Sequence, residues 1–486
     1  MSASSDADIG GATVVWGTMN VKAAGAVVLA MLMGACTGGA ADPTRSKHEC
    51  PALGAFPGAM QGGDPPVPEH GNGGYDVQRY TADLRIDPRS ARLTLSSSIE
   101  AIATQDLTSF SFDHPGSAEP TVLVDDRRAA ACQREGKLII VPGTPITDGA
   151  TFVTTIETDG IPERGTADAG PGWVQTAAST IVAVGLRGET ASWFPMNVTP
   201  RDKAAYTMRL SVPAGFAAIG TGRLVSVSEG NPTTYEWSSE DPLQEAGPQL
   251  VVGELERIPL RATGRVTSSA YLPRTTSIVT LEDLGVVPEM VAFFEDRFGR
   301  FPFERLDVVV VPFDSPDGGT FPGAIVWQAS RDLDHVRLAH LMAYQWFQFS
   351  VTPVSAGDVW LRTGAVNLAE YLWIEHTDGP AAMRERVRRD LSYLGDRTQP
   401  PALIEDPQDL EDFRALFVRG SLALHALRLE VGDERFFSVL QQFTQRYRFD
   451  IATTEDFIQL SEEIAGRDLS GFFRRWLLER EIPPLG

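Results

Sequence analysis

The strongest pattern along the first half of the chain is alternation. From "YDVQRYTADLRID" at Tyr75 through "RLTLSSSIEAIA", "LTSFSFD", "TVLVDD", "KLIIVPG" and "TFVTTIETDG", apolar and polar residues exchange with a period of two, and turn residues separate the runs. A strand sends successive side chains to opposite faces, so this pattern predicts half-buried strands. The region to about Glu256 therefore reads as all-β. After about Tyr271 the period lengthens. "LEDLGVVPEMVAFFEDRFG" places Val286, Met290, Phe293 and Phe294 on one side at helical spacing. "RLDVVVVPF" and "GAIVWQ" are short unbroken apolar runs of the kind that buried strands show. Helices are predicted over Asp332–Ser350, Asp358–Glu375, Pro380–Leu394, Phe413–Val431, Asp433–Arg446, Thr454–Ala465 and Leu469–Arg480. Pro483 and Pro484 stop the last of them. The fold class is multidomain, an all-β N-terminal part followed by a mostly helical α+β part. There is no internal repeat.

At 486 residues the chain is too long for one ordinary core. Its N-terminus carries an address. Met19, Asn20, Val21 and Lys22 make a short basic start, followed by "AAGAVVLAMLMGAC". That run is shorter than the roughly 20 residues a spanning helix needs, and it has the length of a signal-peptide core. Small residues lead into Cys36, which resembles a bacterial lipobox whose cysteine is lipidated. The expected organisation is a leading stretch, 1–18, that is untranslated or disordered; a lipoprotein signal peptide, 19–35; and a flexible Gly- and Pro-rich tether, 36–74. A β domain, 75–258, and a catalytic-type domain, 259–486, follow. The expected location is the bacterial cell membrane, on its extracytoplasmic face. With Cys36 lipidated, Cys50 and Cys132 remain as an even pair, which in an exported chain predicts one disulfide. A formal net charge of -22 argues against a nucleic-acid partner.

Several separate stretches, in order, resemble the family M1 zinc aminopeptidases. "WFPMNVTPRDKAAYTMRLSVPAGF" carries Trp193, Pro195, Asn197, Pro200, Asp202, Lys203 and Ala204 where the family has its Trp-Phe-Pro and Asp-Lys-Ala block. "FEDRFGRFPFERLDVVVVP", "AYQWFQFSVTP", "VWLRTGAVNLAEYL", "FVRGSLALHALRLEVGDERFF" and "FFRRWLLEREIPPLG" are similar to later family stretches. The resemblance runs from Tyr75 to Gly486. It implies a β-saddle domain and a thermolysin-like domain, without the family's large C-terminal helical repeat domain. It also implies a zinc held by two His on one helix and a Glu on the next, a Glu base, a Tyr hydroxyl for the oxyanion, and a Gly-Ala-Met-Glu-Asn strand for the substrate's amine.

Against that resemblance the site positions have changed type. His340 matches the first ligand, but Tyr344 and Thr363 stand at the second and third. A catalytic zinc wants three protein ligands and an open position; a phenol with a reference pKa of about 10 is a neutral donor at pH 7. Leu341 stands at the base, Phe417 at the hydroxyl donor and Val326 at the amine anchor in Gly323-Ala324-Ile325-Val326-Trp327. A base that takes a proton from water and a donor that steadies the oxyanion are thereby lost. No two of the seven histidines are four residues apart. His335 and His340 lie about 140° apart around a helix and cannot face one metal. Glu370 matches a family Glu and is placed to hydrogen-bond His340, as carboxylates do for metal-binding His.

The sequence therefore predicts a lipid-anchored M1-like pseudopeptidase, a binding or scaffold module with no catalytic residue, no metal ligand set and no cofactor. Its ligand would be a peptide or protein in the interdomain cleft, walled by Trp327, Tyr344 and Phe417. Two alternatives stay open. One is a metallopeptidase with residual zinc-dependent activity, its metal held by His340, Glu370 and water. The other is a hydrolase with an unrecognised site, for which no Gly-x-Ser-x-Gly or Cys/His arrangement speaks.

Overall fold

The computed structural model describes residues 50–485 apart from 65–66, 68–69, 115, 117–118, 163–171, 186–188, 245–246, 262–263, 275–276, 313–317, 396–400 and 404–412. The signal-like run and Cys36 lie outside the described residues. The period-two stretches are strands. Tyr75–Asp87 alternates buried and exposed positions over most of its length, as its sequence does. It sits inside an eight-stranded sheet in the order Arg223–Ser228, Thr233–Leu243, Ala204–Val212, Tyr75–Asp87, Arg92–Ala103, Thr151–Gly160, Thr121–Val124, Arg127–Arg128. Its pairing with Ala204–Val212 is parallel, and Tyr80 opposite Tyr206 puts their rings in a stack with centroids 5.0 Å apart. Ala217–Gly220, Leu250–Gly253, Ile181–Ala183 and Val174–Gln175 form a second sheet; Phe110–Asp113, Lys137–Val141 and Ala130–Arg134 form a third.

A five-stranded sheet runs Leu255–Pro259, Ser269–Pro273, Asp307–Val311, Ala324–Gln328, Gly319–Phe321. Asp307–Val311 is buried along its whole length, with strands pairing in parallel on both sides, which is why it reads as an unbroken Val run. The helices on this half are α1 (Val287–Phe298), α2 (His335–Tyr344), α3 (Trp360–Asp378), α4 (Pro380–Leu394), α5 (Phe413–Val431), α6 (Asp433–Arg446) and α7 (Thr454–Ala465). Three of these starts have a plain local cause. The Asp334 carboxylate accepts from the N–H groups of Val336 and Arg337 and caps α2. Pro380 opens α4, and Thr453 with Asp456 closes a reciprocal capping box on α7.

Three sequence expectations need correction. The tether does not extend to residue 74. From Cys50, which is disulfide-bonded to Cys132, the segment is fastened to the β half. Gly58 N–H donates to Ser109 O, Asn72 Nδ2 donates to Asp113, and Lys137 Nζ donates to Gly71 O. Glycine and proline here serve tight turns. The boundary at 258/259 would cut the strand Leu255–Pro259, so the helical half begins near Leu255. The predicted helix Asp332–Ser350 is two pieces: α2, then a wider π turn over Gln345–Ser350, where Phe347 leaves helical geometry at φ -101° and ψ 17°.

Residues 49–486 form one compact unit, and a few long side chains join its two halves. Lys203 Nζ donates to Ser350 O, Thr352 Oγ1 and Asp450 O, each at 3.1 Å. Arg305 donates to Gly220 O and Gly222 O while pairing with Asp307 at 2.5 Å. Within the helical half, Arg419, fully buried on α5, gives its guanidinium to the carbonyls of Trp476, Arg475, Glu479, Arg480 and Glu481. Burial pushes its pKa down to about 10, so it stays a cation at neutral pH. No described helix is long and apolar enough to cross a membrane.

α3 and α5 touch backbone to backbone at Gly364 and Gly420. A Cβ on Gly364 would lie 2.6 Å from the carbonyl carbon of Gly420. Gly364→Ala should therefore push the helices apart and cost about 1–3 kcal/mol, read from the denaturant midpoint. An unchanged midpoint would show that the pair can separate freely.

Candidate functional site

Four elements bring the predicted site residues together. α2 carries His340, Leu341 and Tyr344; α3 carries Thr363 and Glu370; α5 carries Phe417; the strand Ala324–Gln328 carries Val326 and Trp327. Gln345, at the end of α2, fastens that helix to the strand region. Its Oε1 accepts from Gly323 N–H at 2.9 Å, and its Nε2 donates to Thr320 Oγ1 and Phe321 O. Gly323 sits at φ +80°, which favours glycine there.

The polar centre is the His340–Glu370 pair. His340 Nδ1 and Glu370 Oε1 are 2.7 Å apart, and both residues are buried. Arg386 on α4 donates to the other oxygen, Oε2, at 2.6 Å. Arg386 also donates to Asp390, which accepts from Tyr371 O–H at 2.6 Å; Ser421 Oγ donates to the Tyr371 oxygen. One network thus runs from α2 through α3 and α4 to α5. Burial works to raise the Glu370 pKa, but the His340 hydrogen bond and charge, with Arg386 and Arg337, outweigh it and hold the carboxyl below its ordinary value. The contact between His340 and Glu370 was legible in the sequence. Arg386 was not, because it lies in "MRERVRRD", which looks like a solvated charged face; its spacing of four from Asp390 was the only hint.

The other positions are packed. The Leu341, Val326 and Thr363 side chains are buried, and Thr363 Oγ1 donates to Val359 O at 3.2 Å, inside its own helix. Tyr344 packs edge-on to His340, and Phe417 stacks over the same imidazole with centroids 5.6 Å apart. Of the three aromatic residues expected to wall an open cleft, Trp327 and Tyr344 are only 4% and 5% exposed, and Phe417 is half-buried. The first two are corrected to core positions: apolar volume has filled the space rather than lined it. Trp327 Nε1 spends its proton on Arg331 O.

Comparison with known proteins adds the following. Residues 282–476 match the Peptidase family M1 domain. Rat aminopeptidase B is 26% identical over 354 residues, which covers 65% of this chain and 53% of the rat protein. The aminopeptidase N of Lactococcus lactis is 25% identical over 230 residues, covering 41% of this chain and 26% of that protein. The chain thus spans about half the length, or less, of these curated relatives. The crystal structure of the M1 zinc metallopeptidase from Deinococcus radiodurans superposes with a TM-score of 0.78 at 26% identity, covering 87% of this chain and 98% of that one. A mutant of the same enzyme has been solved with a Tyr-Ser-Ala substrate.

These relatives overturn the expectation that no cofactor belongs here, because the solved neighbours are zinc metallopeptidases. Zinc is the metal that those solved neighbours are named for. The donors at this chain's corresponding positions fit it poorly. They are one imidazole, whose Nδ1 contact with Glu370 would suit a ligand, but beside it only a phenol packed against that ring and a hydroxyl turned onto Val359 O. Among the described residues no three His, Cys, Asp or Glu side chains group as a metal site.

Glu370→Gln should cost about 3 kcal/mol at neutral pH, since it removes one partner of a buried pair. Glu370 has a depressed folded pKa, so its contribution is present above the unfolded value of 4.5 and is lost as pH falls through the folded one. The gap in denaturant midpoint between wild type and variant should therefore shrink as pH falls from 4.5 through the lower folded value. A gap that persists there would remove ionisation of Glu370 as its cause.

Proposed function

We propose, from the premise that this chain is a homologue of the M1 peptidase family, that it uses the peptidase fold to bind a peptide or protein segment without hydrolysing it. The observation that carries this reading is Leu341. It occupies the base position on α2, buried and with no atom able to take a proton. Water activated in place by a carboxylate is the step that the fold's hydrolysis needs. Phe417 cannot donate to an oxyanion, a loss of about 3–4 kcal/mol in transition-state stabilisation. Val326 cannot hold a substrate's amine. A peptide as ligand is supported by the related Deinococcus enzyme, whose mutant holds a tripeptide.

The same reading places the protein on the extracytoplasmic face of a bacterial membrane, anchored through Cys36. Its support is the sequence alone: Lys22, the short apolar run and the small residues before the cysteine. The Cys50–Cys132 bond agrees with an oxidising compartment.

Activity is tested with purified protein on aminoacyl substrates, with zinc supplied. No turnover above the blank is expected. Chelator-sensitive turnover would overturn the proposal and make the protein a working aminopeptidase. A companion variant, Leu341→Glu with Tyr344→His and Thr363→Glu, restores a two-His, one-Glu set beside a base. Zinc should raise its Tm more than that of the wild type, since a ligand that binds only the folded state stabilises it. An equal response would mean that α2 and α3 do not hold zinc-binding geometry.

Anchoring is tested by expression in a bacterium with labelled fatty acid. The wild type should incorporate label and enter the detergent phase, and Cys36→Ser should do neither. An unlabelled wild type would remove the anchor.

A further inference from the structure

Residues 50–74 hold the β half along most of their described course, but at Asp64 a bond crosses to the helical half. The Asp64 carboxylate, 6% exposed, accepts from Ala356 N–H at 2.8 Å through Oδ2. Ala356 opens the turn Ala356–Asp358 that leads directly into α3, the helix of Thr363 and Glu370. That root is otherwise set by Asp358, which accepts from Thr454 at the start of α7. Asp64 is therefore one of the β half's grips on the approach to the site helix, beside Arg201 on Val354 O and Lys203 on Thr352 Oγ1.

The ends of the segment differ. After Gly74 the chain continues into the strand Tyr75–Asp87, which is paired on both sides. At the other end the fixed point is the disulfide to Cys132 on the strand Ala130–Arg134. Between them, Phe56 N–H donates to Thr108 Oγ1, Gly58 N–H to Ser109 O and Gly73 N–H to Ala59 O. With the disulfide closed, this run is a loop fixed at both ends. Opening any of it then gains little chain entropy. With the disulfide open, the Cys50 end of the same run is held to the β half by hydrogen bonds alone and can peel from there toward Asp64. Cys132 is buried and Cys50 half-buried, so attack at the Cys50 sulfur is the more open route.

We infer that this segment is a redox-sensitive strap: its closed disulfide holds Asp64 on Ala356, and reduction by a dithiol frees the Ala356 N–H at the root of α3, while Arg201 and Lys203 keep the two halves joined. The step breaks one S–S bond and leaves two thiols. The two electrons and two protons come from the dithiol, which is itself oxidised to a disulfide. The inference stands apart from the reading of activity above.

Hydrogen exchange on the full chain tests it, read by peptide before and after treatment with a dithiol. Reduction should speed exchange roughly tenfold or more at Phe56, Gly58 and Ala356, while Tyr75–Asp87 keeps its protection. The double variant Cys50→Ser, Cys132→Ser should match the reduced protein without any reagent. Asp64→Ala in the oxidised protein should speed Ala356 and leave Gly58 protected. If reduction frees Gly58 but not Ala356, or if Asp64→Ala leaves Ala356 unchanged, the strap does not reach the site helix and the inference fails. It fails equally if reduction speeds Tyr75–Asp87 as much as Gly58, since the β half would then be unfolding as a whole.

Discussion

A carboxylate buried between helices has to be answered on both of its oxygens, and Glu370 sets the helical half around that requirement. One oxygen takes the imidazole of His340 from α2, and the other takes the guanidinium of Arg386 from α4. An ionised group left alone at that depth would be costly, so the three helices cannot slide independently. The glycine contact between α3 and α5 fixes the remaining direction. Leu341, Tyr344, Thr363 and Phe417 ride on the helices so fixed, and Gln345 ties α2 to the strand region of Val326 and Trp327.

Under the proposed reading, the side chains at the expected site positions share a physical logic. A base, two metal ligands and an amine anchor are all polar groups that need water, metal or substrate to answer them. Leu341, Tyr344, Thr363 and Val326 need none of these: two are apolar, one shelters its ring against His340, and one turns its hydroxyl onto Val359. Phe417 completes the packing over the imidazole. Zinc remains the metal of the relatives, and their comparison corrected a sequence reading that had dismissed it on ligand identity alone.

Much of the fold was legible because its periods are clean. The strand Tyr75–Asp87 alternates in sequence as it does in burial, and α4, α5, α6 and α7 have the bounds that their proline, glycine and acidic caps mark. The break between α2 and the π turn at Gln345 was hidden, since Gln345 through Ser350 continue an apolar helical pattern and no proline or glycine announces the change. The segment after Cys50 was misread because glycine- and proline-rich composition signals both loose linkers and tight turns. Long-range partners such as Lys137 and Asp113 decide between them, and local sequence does not show them. At the site, residue types were readable and openness was not. Whether an aromatic side chain lines a cleft or fills it depends on backbone spacing, which the identities of Trp327 and Tyr344 do not encode.

The guanidinium of Arg419 has a consequence for anyone who shortens or extends this protein. Its acceptors are main-chain carbonyls of residues 475–481, so a buried cation is solvated by a segment that looks, by sequence alone, like a dispensable tail. Cargo or a tag fused after the final glycine leaves those carbonyls in place. A trim made before Glu481 strips them away one at a time. The chain's safe point of attachment is thus beyond the clamp, however frayed the last residues look on paper.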